Sequence, residues 1–569
     1  MNILLISGGS GNDALVKGLK KLYPESTVKV LVNAYDAGKS TGICRKVTNT
    51  LGVSDIRKNH SRMYEAMTTD VNQCYMEFYN SRYNFTKGHE AEEVIEKLKL
   101  WNLENLEPYV TRFFSRPESL KYNYKDFNVS NIVYSEMYSE IGYEETNKYF
   151  TSLLGIDDFV ILNSFDNVYI QAVTRDSSVI EDEGDIVEYK NSSNPIVSLT
   201  YVGDNNRSGI NPAAINAVYS ADLIVISTGT FWSSIYPTLD YLDFYDCINK
   251  SNATKIWAMN NIEDKDSFGV SSNDFIRIVS ERGLDLTNFT ILQNLDAVES
   301  LREDNETVKI VRSSMGNDQG KHDGEKYACE ILKIYYGLTN IDQFEKIVFD
   351  FDDTLWSRDP NLESISIENV KMINNLGNRA CIVSGNSYES IRKKLAQVYG
   401  SSLEDFLLDI WADANACLFR HNERIDVIPE LMITQDPTVL IQHLRSTYGL
   451  ICIPNDTRVV TCLKIKPLSQ LDQCLISNYL NDYLLRAAGL TSCTASPTGK
   501  TTVDIVSVNN NKAHVLPYIS SNYQTVLYVG DEIDTGNDQQ ISMMCGHSIH
   551  TKDVKEAAVV IRLLLGSKE

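Results

Sequence analysis

The sequence has no long hydrophobic run, no excess of basic residues and no CxxC cysteine pair. No window approaches 18 uninterrupted apolar residues, and Met1 leads directly into the strand-like run NILLIS, so we expect neither a membrane span nor a signal peptide. The 53 Lys and Arg against 76 Asp and Glu give a formal charge of −23, which disfavours general binding to nucleic acid or to an anionic membrane. The 11 cysteines are scattered singly, as expected for reduced thiols in a cytoplasmic protein.

The length of 569 residues allows several domains, because one hydrophobic core seldom serves more than about 250 to 300 residues. Strand-like apolar runs fill the first half of the chain and predict a parallel-rich α/β sheet, since strands covered on both faces are continuously apolar. These runs are NILLIS, TVKVLVN, DFVILNS, VYIQAV, ADLIVIS, TKIWAMN and FTILQNL. The segment EKYACEILKIYYGL predicts a closing helix that stops near Gly337.

A second strand series begins at KIVFDFDDTLW and includes ACIVSG and TVLYVGD. We therefore predict two α/β domains, residues 1–338 and 343–569. A long segment of mixed strands and helices, about residues 412–507, interrupts the second series. This segment predicts an α+β cap over the second sheet.

The second domain contains the pattern Asp350-Phe351-Asp352-Asp353-Thr354 directly after the strand KIVF. Parallel α/β sheets place their chemistry at such strand ends. The alternative interpretation is an acidic turn that caps the following helix. Three further motifs follow in order and favour the functional interpretation. They are Ser384 after ACIV, Lys512 in NNNKAHVL, and the loop GDEIDTGND with Asp531, Asp534 and Asp538.

This order of motifs resembles the haloacid-dehalogenase (HAD) phosphatase superfamily. The resemblance implies that Asp350 is a nucleophile that forms an aspartyl-phosphate and that Asp352 is the general acid and base. It implies that Ser384 and Lys512 hold the phosphoryl oxygens.

The same resemblance implies a Mg²⁺ ion, a hard cation that prefers oxygen ligands. Its expected ligands are Asp350, the main-chain carbonyl of Asp352, and Asp531. Asp538 would orient a ligand or a metal-bound water. Asp534 has no family counterpart and is expected to be a solvated loop acid.

The insert lies between the Ser384 and Lys512 motifs. This position is similar to that of the large cap in the HAD branch of phosphomannomutases and sugar-phosphate phosphatases, and it implies a small phosphorylated sugar or polyol as substrate. Candidate cap contacts carry polar side chains, for which surface charge is the alternative explanation. They are Asn415, Arg420, Arg458 and Lys464.

The first domain opens with LLISGGSGNDALVKGL, which predicts a strand, a glycine turn and a helix. Gly8, Gly9 and Gly11 would let a phosphate approach the amides at the helix start, although tight turns use the same residues. The later GKS at residues 38–40 is not a P-loop. The pattern requires a glycine five residues before Gly38, and that position is occupied by Asn33.

Further segments extend this pattern, among them NAYDAGKSTGICRK, LGVSDIRKN, NVSNIV and ADLIVISTGTFWSSIYPTL. Together they resemble the CofD/YvcK family of 2-phospho-L-lactate transferases and UDP-sugar-binding gluconeogenesis factors. The resemblance implies a Rossmann-like domain that binds a nucleoside diphosphate or a nucleotide sugar at the carboxyl ends of the strands. The matching residues are Gly8, Gly9, Gly11, Asp36, Gly38, Ser40, Gly42, Arg45, Asp55, Arg57, Asn59, Asn131, Thr228, Gly229, Ser233, Ser234 and Pro237.

Within this resemblance, Asp36 and Asp55 are available for a metal or for an acceptor hydroxyl, with helix capping as the alternative for Asp55 and Asn59. Tyr35 replaces the first acid of the family's pair, and Ser227-Thr228 replaces a Gly-Pro. The aromatic-rich segment 72–116 predicts either a pocket wall or a local core.

The leading hypothesis is a bifunctional enzyme with a CofD-like transferase domain and a Mg²⁺-dependent HAD phosphatase. The alternatives are a first domain that senses a nucleotide sugar without catalysis, and a second domain that is a phosphomutase. A homo-oligomer is compatible with the sequence.

Overall fold

The computed structural model divides the chain into two compact units, Met1–Tyr335 and Tyr336–Glu569. The structure describes residues 1–9, 11–157, 159–203, 208–262, 266–297, 301, 308–317, 321–413, 415–428, 438–448, 451–454, 461–464, 470–498, 502–509, 511–534 and 538–566. Within these residues no helix combines the length and the apolar composition that crossing a membrane requires.

The first unit alternates strands and α-helices. Its strands are β1 (Asn2–Ile6), β2 (Thr27–Val32), β3 (Arg82–Tyr83), β4 (Phe127–Asn128), β5 (Val160–Leu162), β6 (Val168–Thr174), β7 (Val179–Ile180), β8 (Ile196–Gly203), β9 (Leu223–Ile226), β10 (Thr254–Ala258), β11 (Phe289–Asn294) and β12 (Lys309–Ser313). Its helices are α1 (Asp13–Leu22), α2 (Lys39–Thr48), α3 (Ser54–Met67), α4 (Gln73–Asn80), α5 (Glu90–Leu100), α6 (Glu107–Ser115), α7 (Val129–Leu154, broken at Gly142), α8 (Glu183–Glu188), α9 (Pro212–Ser220), α10 (Tyr236–Asp240), α11 (Tyr245–Asn249), α12 (Ser272–Glu281) and α13 (Gly324–Tyr335). A π-helical turn, Phe231–Ile235, precedes α10.

A parallel sheet of seven strands forms the centre of the first unit, in the order β12-β11-β10-β9-β1-β2-β5. Strands β9 and β11 are buried along their whole length, as their continuous apolar sequences require. The chain leaves β1 toward β2 on one side and later returns through β9 on the other. The strand order therefore reverses between β1 and β9, and such a reversal opens a crevice at the carboxyl ends of the strands.

The run VYIQAV does not join this sheet, which corrects the expectation from its composition. It forms β6, which pairs antiparallel with β7 and β8 in a separate sheet of three strands. Val168, Ile170 and Ala172 are buried while the intervening residues are half-buried. This alternation is typical of a strand that covers the core with one face only.

The aromatic-rich segment 72–116 forms a local core. Phe78 and Phe113 are fully buried, and the ring of Phe78 lies 5.9 Å from that of Trp101 in an edge contact. Of the two expectations for this segment, the packing supports the local core.

The second unit has its own parallel sheet. Its strands are β13 (Lys346–Phe349), β14 (Ala380–Val383), β15 (Asp409–Ala412), β16 (Cys417–Arg420), β17 (Glu423–Val427), β18 (Ile451–Pro454), β19 (Thr461–Lys464), β20 (Cys493–Thr498), β21 (Thr502–Ser507), β22 (Val526–Gly530) and β23 (His547–His550). Its helices are α14 (Glu363–Asn374), α15 (Tyr388–Tyr399), α16 (Thr438–Tyr448), α17 (Gln470–Tyr479), α18 (Leu485–Ala487), α19 (Leu516–Ile519), α20 (Gln539–Met544) and α21 (Val554–Leu565). The predicted α/β class is therefore confirmed in both units.

The order of the main sheet is β17-β16-β15-β14-β13-β22-β23, in which β13 pairs in parallel with β14 and β22. Strands β16 and β17 extend it as an antiparallel hairpin beside β15. This pairing corrects the predicted start of the cap near residue 412, because the hairpin belongs to the main sheet. A separate antiparallel sheet, β18-β19-β21-β20, follows it. Leu444, Leu480 and Val503 help to form a separate core there.

The second unit begins slightly earlier than the sequence predicts. Helix α13 ends at Tyr335, and Gly337 follows with a φ of +70°. The Tyr336 hydroxyl donates to Glu556 Oε1 at 2.7 Å, and Leu338 is fully buried.

This packing predicts the boundary of a stable fragment. Fragment 336–569 should fold alone, and fragment 339–569 should unfold more easily by about 2 kcal/mol or more, because a buried hydrogen bond and a buried leucine are lost. Urea unfolding measures the difference, and fragment 343–569 serves as a comparison that should lose little more. Equal stability of fragments 336–569 and 339–569 would contradict the boundary.

Candidate functional site

Asp350 and Asp531 lie side by side because their strands are neighbours. Asp350 follows β13 and Asp531 follows β22, and these two strands pair in parallel. The amide of Asp350 donates to Val529 O at 2.9 Å, which fixes the first residue beyond the strand. Thr354 Oγ1 donates to Asp531 Oδ1 at 3.4 Å. The acidic turn and the acidic loop thus meet at one edge of the sheet.

Lys512 ties two carboxylates together in this centre. Its Nζ donates to Asp350 Oδ1 at 2.6 Å and to Asp538 Oδ1, and all three side chains are buried. Burial opposes the charge of Lys512, but the two carboxylates outweigh burial and raise its pKa. Burial raises the pKa of Asp350 well above its usual range, and the charge of Lys512 only partly offsets this effect.

The acidic residues fit a divalent cation. Asp350, Asp531 and Asp538 each offer an oxygen within 4.8 Å of the others. Burial, followed by the charge of Asp538, raises the pKa of Asp531 to about 6. One lysine among three carboxylates leaves a surplus of negative charge, and hard oxygen donors in this number suit Mg²⁺.

Asp352 lies beside this centre and is held by two residues that the sequence analysis missed. Its Oδ1 accepts from Lys394 Nζ at 3.0 Å, and its Oδ2 accepts from Asn386 Nδ2. Ser384 is buried after β14, and its Oγ accepts from the amide of Asn386 at 3.1 Å. Asn386 could have been found from its place in the Ser384 loop, whereas nothing in the sequence marks Lys394 on α15.

The other candidate residues of the second unit lie in different surroundings. Asp534 is exposed and lies 3.6 Å from His550, in agreement with a solvated loop acid. Arg420 forms two hydrogen bonds of 2.6 Å with Asp409 on the edge of the main sheet, so it is not a cap contact. Asn415 is buried in the turn before β16. Lys464 lies in β19, and Arg458 lies outside the described residues.

In the first unit, Gly8 and Gly9 follow β1 at the reversal of the strand order. A Cβ on Gly8 would lie 2.4 Å from Ser234 Oγ, and one on Gly9 would lie 2.5 Å from Asp55 Oδ1. The Gly9 amide donates to the Asp55 carboxylate, and burial raises the pKa of Asp55 while Lys58 partly offsets it. Asp55 therefore faces the turn and does not cap its own helix.

Gly11 and Gly42 lie where packing leaves no room for a side chain, and their assignment as ligand contacts stays a prediction. A Cβ on Gly11 would lie 1.6 Å from the carbonyl oxygen of Thr228, and one on Gly42 would lie 1.9 Å from that of Ala37. The Thr228 hydroxyl donates to Gly11 O at 2.9 Å. The loops after β1 and β9 are thus in direct contact.

Asp36 has a carboxyl neighbour that comes from a distant helix. Asp36 Oδ1 accepts from the Gly38 amide at 3.0 Å, and Glu183 Oε2 accepts from the Ala37 amide at 3.3 Å. The two carboxyl groups also hydrogen-bond to each other. Burial, followed by the charge of Asp36, raises the pKa of Glu183 well above its usual range.

Tyr35 does not face this carboxyl pair. Its ring is fully buried, its hydroxyl donates to Asn163 Oδ1 at 3.2 Å, and its centroid lies 5.2 Å from that of Tyr241. Position 35 therefore belongs to the core, and α8 supplies the second carboxyl through Glu183.

Arg45 is a structural residue, which corrects its assignment as a ligand contact. Its guanidinium donates five hydrogen bonds, to the main-chain oxygens of Tyr35, Asp36, Thr50 and Val168 and to Asn167 Oδ1. The group also lies 3.9 Å from the centroid of the Tyr169 ring. All five N–H groups are used, so none remains for a phosphate.

The remaining candidates form two connected groups. Arg57 Nε donates to Asn131 Oδ1 at 2.8 Å, and Asn131 Nδ2 donates to Ser40 Oγ at 2.8 Å. Burial lowers the pKa of Arg57 to about 10, which leaves it charged at neutral pH. Asn59 Nδ2 donates to Asp55 O at 2.8 Å and to Gly8 O at 3.4 Å, which joins the glycine turn to α3.

The loop after β9 completes the crevice. The Gly229 amide donates to Asn260 Oδ1 at 3.2 Å. Ser233 donates from its amide and its hydroxyl to Asp266 Oδ2 at 2.8 and 2.9 Å. Ser233 therefore serves the π-helical turn, which continues into α10 at Tyr236 and Pro237, while Ser234 lies against Gly8.

Comparison with known families identifies the first unit. The family described as 2-phospho-L-lactate transferase CofD matches residues 3–333, which is more than half of the chain. The chain therefore belongs to the CofD family, and the resemblance found in the motifs is confirmed.

Two curated relatives are putative gluconeogenesis factors. The relative from Aquifex aeolicus is 22% identical over 268 residues, which cover 46% of this chain and 67% of the relative. The relative from Clostridium acetobutylicum is 21% identical over 328 residues, which cover 55% of this chain and 61% of the relative. The chain thus spans less than two thirds of the second relative.

Two solved structures are similar to part of the chain. A member of the UPF0052 family from Bacillus halodurans has a TM-score of 0.44 and 17% identity, and the match covers 58% of this chain and 98% of that protein. A haloacid dehalogenase-like hydrolase from Bacteroides thetaiotaomicron has a TM-score of 0.29 and 15% identity, and the match covers 38% of this chain and 92% of that protein.

The position of Arg45 predicts a stability defect without a specific binding defect. Arg45→Met should destabilise the first unit by about 3 kcal/mol or more, because it leaves buried oxygens without donors. Denaturant unfolding measures the change. Arg277→Met, which removes an exposed arginine paired with Asp274 and Glu281, is the control and should cost less than about 0.5 kcal/mol. A small effect of Arg45→Met would contradict the structural role.

Proposed function

We propose that the second unit is a Mg²⁺-dependent phosphatase of the HAD type that hydrolyses a phosphomonoester through an aspartyl-phosphate. One observation carries this proposal: the buried carboxylate of Asp350 lies 2.6 Å from Lys512 and within 4.8 Å of Asp531 and Asp538. A nucleophile, a buried cation and a set of hard oxygen donors are the parts that phosphoryl transfer requires.

In this mechanism Asp350 attacks the phosphorus, and the bond from phosphorus to the alcohol oxygen breaks. Asp352 gives its proton to the leaving oxygen and then takes a proton from a water that attacks the aspartyl-phosphate. That attack releases inorganic phosphate and restores Asp350. Asn386 and Lys394 orient the Asp352 carboxyl for both transfers.

Lys512 and Ser384 hold the phosphoryl oxygens in this proposal. Lys512 donates to two carboxylates, Asp350 and Asp538. When it binds a phosphoryl oxygen, that oxygen takes the place of one of these carboxylates as a negatively charged acceptor. Mg²⁺ held by Asp350, the main-chain carbonyl of Asp352 and Asp531 would neutralise charge on the transferring group. Asp538 orients Lys512, to which it is directly bonded.

The substrate proposed for the second unit is a small phosphorylated sugar or polyol. The insert, with its own sheet and core, supports a cap that covers the site and excludes water. A phosphomutase is the alternative, and the products distinguish the two, because only a phosphatase releases inorganic phosphate.

We propose that the first unit binds a nucleoside diphosphate or a nucleotide sugar at the crevice between β1 and β9. Membership of the CofD family and the position of Gly8 and Gly9 directly after β1, at the reversal of the strand order, support this ligand. The Asp36 and Glu183 pair supports a catalytic first unit in a bifunctional enzyme, since two carboxyl groups remain despite Tyr35. A sensor without catalysis is the alternative. We place both activities in the cytoplasm.

The nucleophile is tested by Asp350→Asn. This change keeps the volume but removes the attacking charge and a cation ligand, so phosphate release from an aryl phosphate should fall at least about a thousandfold. Asp534→Asn, in the exposed part of the acidic loop, is the control and should keep full activity. EDTA should abolish the activity and Mg²⁺ should restore it. Turnover by Asp350→Asn at a normal rate would refute the assignment.

The nucleotide site is tested by a thermal-shift panel of UDP, GDP, CDP and their sugar conjugates. A ligand at a hundredfold excess over its Kd adds about 2.7 kcal/mol to the free energy of unfolding, so at least one clear shift is expected. Gly9→Val should remove that shift, because the new side chain collides with Asp55 and Lys58 and distorts the turn. Arg277→Met should retain it. A flat response of the wild-type protein across the panel would exclude the proposed ligand class.

A further inference from the structure

A cavity of about 150 Å³ lies beside the glycine turn, at the carboxyl ends of β9 and β10. Gly229 forms part of its wall, and a Cβ on Gly229 would lie 3.7 Å from the Gly8 amide. If the diphosphate of a ligand lies at the glycine turn, the other end of the ligand can therefore reach this cavity.

Flat and apolar side chains form most of the cavity wall. Phe231 and Phe275 are stacked with centroids 4.0 Å apart and an interplanar angle of 20°. Trp257, Ile235 and Val270 also line the cavity. Such walls favour a planar, weakly polar group, because aromatic faces stack on aromatic rings.

Asn261 is one of the polar side chains in the wall of this cavity. It lines the cavity and is 6% exposed, yet neither its Nδ2 nor its Oδ1 has a hydrogen-bond partner among the described residues. The adjacent Asn260 behaves differently, since its amide closes two hydrogen bonds on the main chain of Gly229. A buried amide without partners destabilises the protein, and a ligand that supplies both partners removes this penalty.

We propose that this cavity binds the base of the nucleotide and that Asn261 reads its edge. An amide presents one donor and one acceptor side by side, and the hydrogen-bonding edge of a nucleobase offers the complementary pair. The ring rests against the aromatic wall, with the phosphates at Gly8 and Gly9. This inference rests on the proposed nucleotide site of the first unit and names the group that selects among nucleotides.

The test compares Asn261→Leu with wild-type protein by calorimetric titration of inorganic pyrophosphate and of UDP, GDP, CDP and ADP. The affinity for the preferred nucleotide should fall at least tenfold, and the affinity for pyrophosphate should stay within twofold. Phe275→Ala should give the same pattern through loss of stacking. Gly9→Val should weaken both ligands, which separates the phosphate site from the base site.

Unfolding of the unliganded protein provides a second readout. Asn261→Leu should leave the free energy of unfolding unchanged or raise it, because no hydrogen bond is lost. Asn211→Leu is the matched control: Asn211 is also 6% exposed, but its amide binds Ala213 N and Leu162 O at 2.9 Å, so this change should destabilise.

Four outcomes would overturn the inference. Equal nucleotide affinity of Asn261→Leu and wild type would place the base elsewhere. A stability loss in Asn261→Leu as large as in Asn211→Leu would make Asn261 a structural residue. Binding of pyrophosphate by wild-type protein without any gain from a base would reject the base site and leave the phosphate site, whereas no binding of either ligand would reject both.

Discussion

Both candidate sites depend on one constraint: the first strand of each unit lies in the interior of its sheet and pairs in parallel with the strand on either side. In the first unit β1 lies between β2 and β9, and in the second unit β13 lies between β14 and β22. Because these strands are parallel, segments far apart in the chain end at one edge of each sheet. Gly8 meets Ser234 for this reason, and Asp350 meets Asp531. Several acidic side chains, which repel one another and favour water, are thereby brought close together in buried positions.

The two sites differ in how the repulsion among their carboxyl groups is reduced. The second unit uses a buried cation, Lys512, between Asp350 and Asp538, and its remaining charge suits a metal ion. In the first unit, Asp36 and Glu183 hydrogen-bond to each other, and the Gly9 amide donates to the Asp55 carboxylate. Burial raises the pKa of Asp350 in the second unit and the pKa values of Asp55 and Glu183 in the first, so these three carboxyl groups respond strongly to any charge that enters their site.

The sequence predicted those features that short segments encode. The continuous apolar strands, the closing helix α13 and the order of the four motifs from Asp350 to Asp538 are local properties. Glu183 and Lys394 could not be predicted, because each reaches its carboxylate partner from a helix distant in sequence. The role of Arg45 was hidden for a related reason: a buried guanidinium and a phosphate-binding one have the same local sequence, and only the acceptors around them differ.

The contact between Gly11 and the Thr228 carbonyl has a mechanical consequence. With no room for even a methyl group between them, the loops after β1 and β9 cannot separate or slide without breaking the hydrogen bond from Thr228 to Gly11. The floor of the crevice between β1 and β9 is therefore locked by a steric contact together with a hydrogen bond, so a displacement of one loop has to carry the other with it.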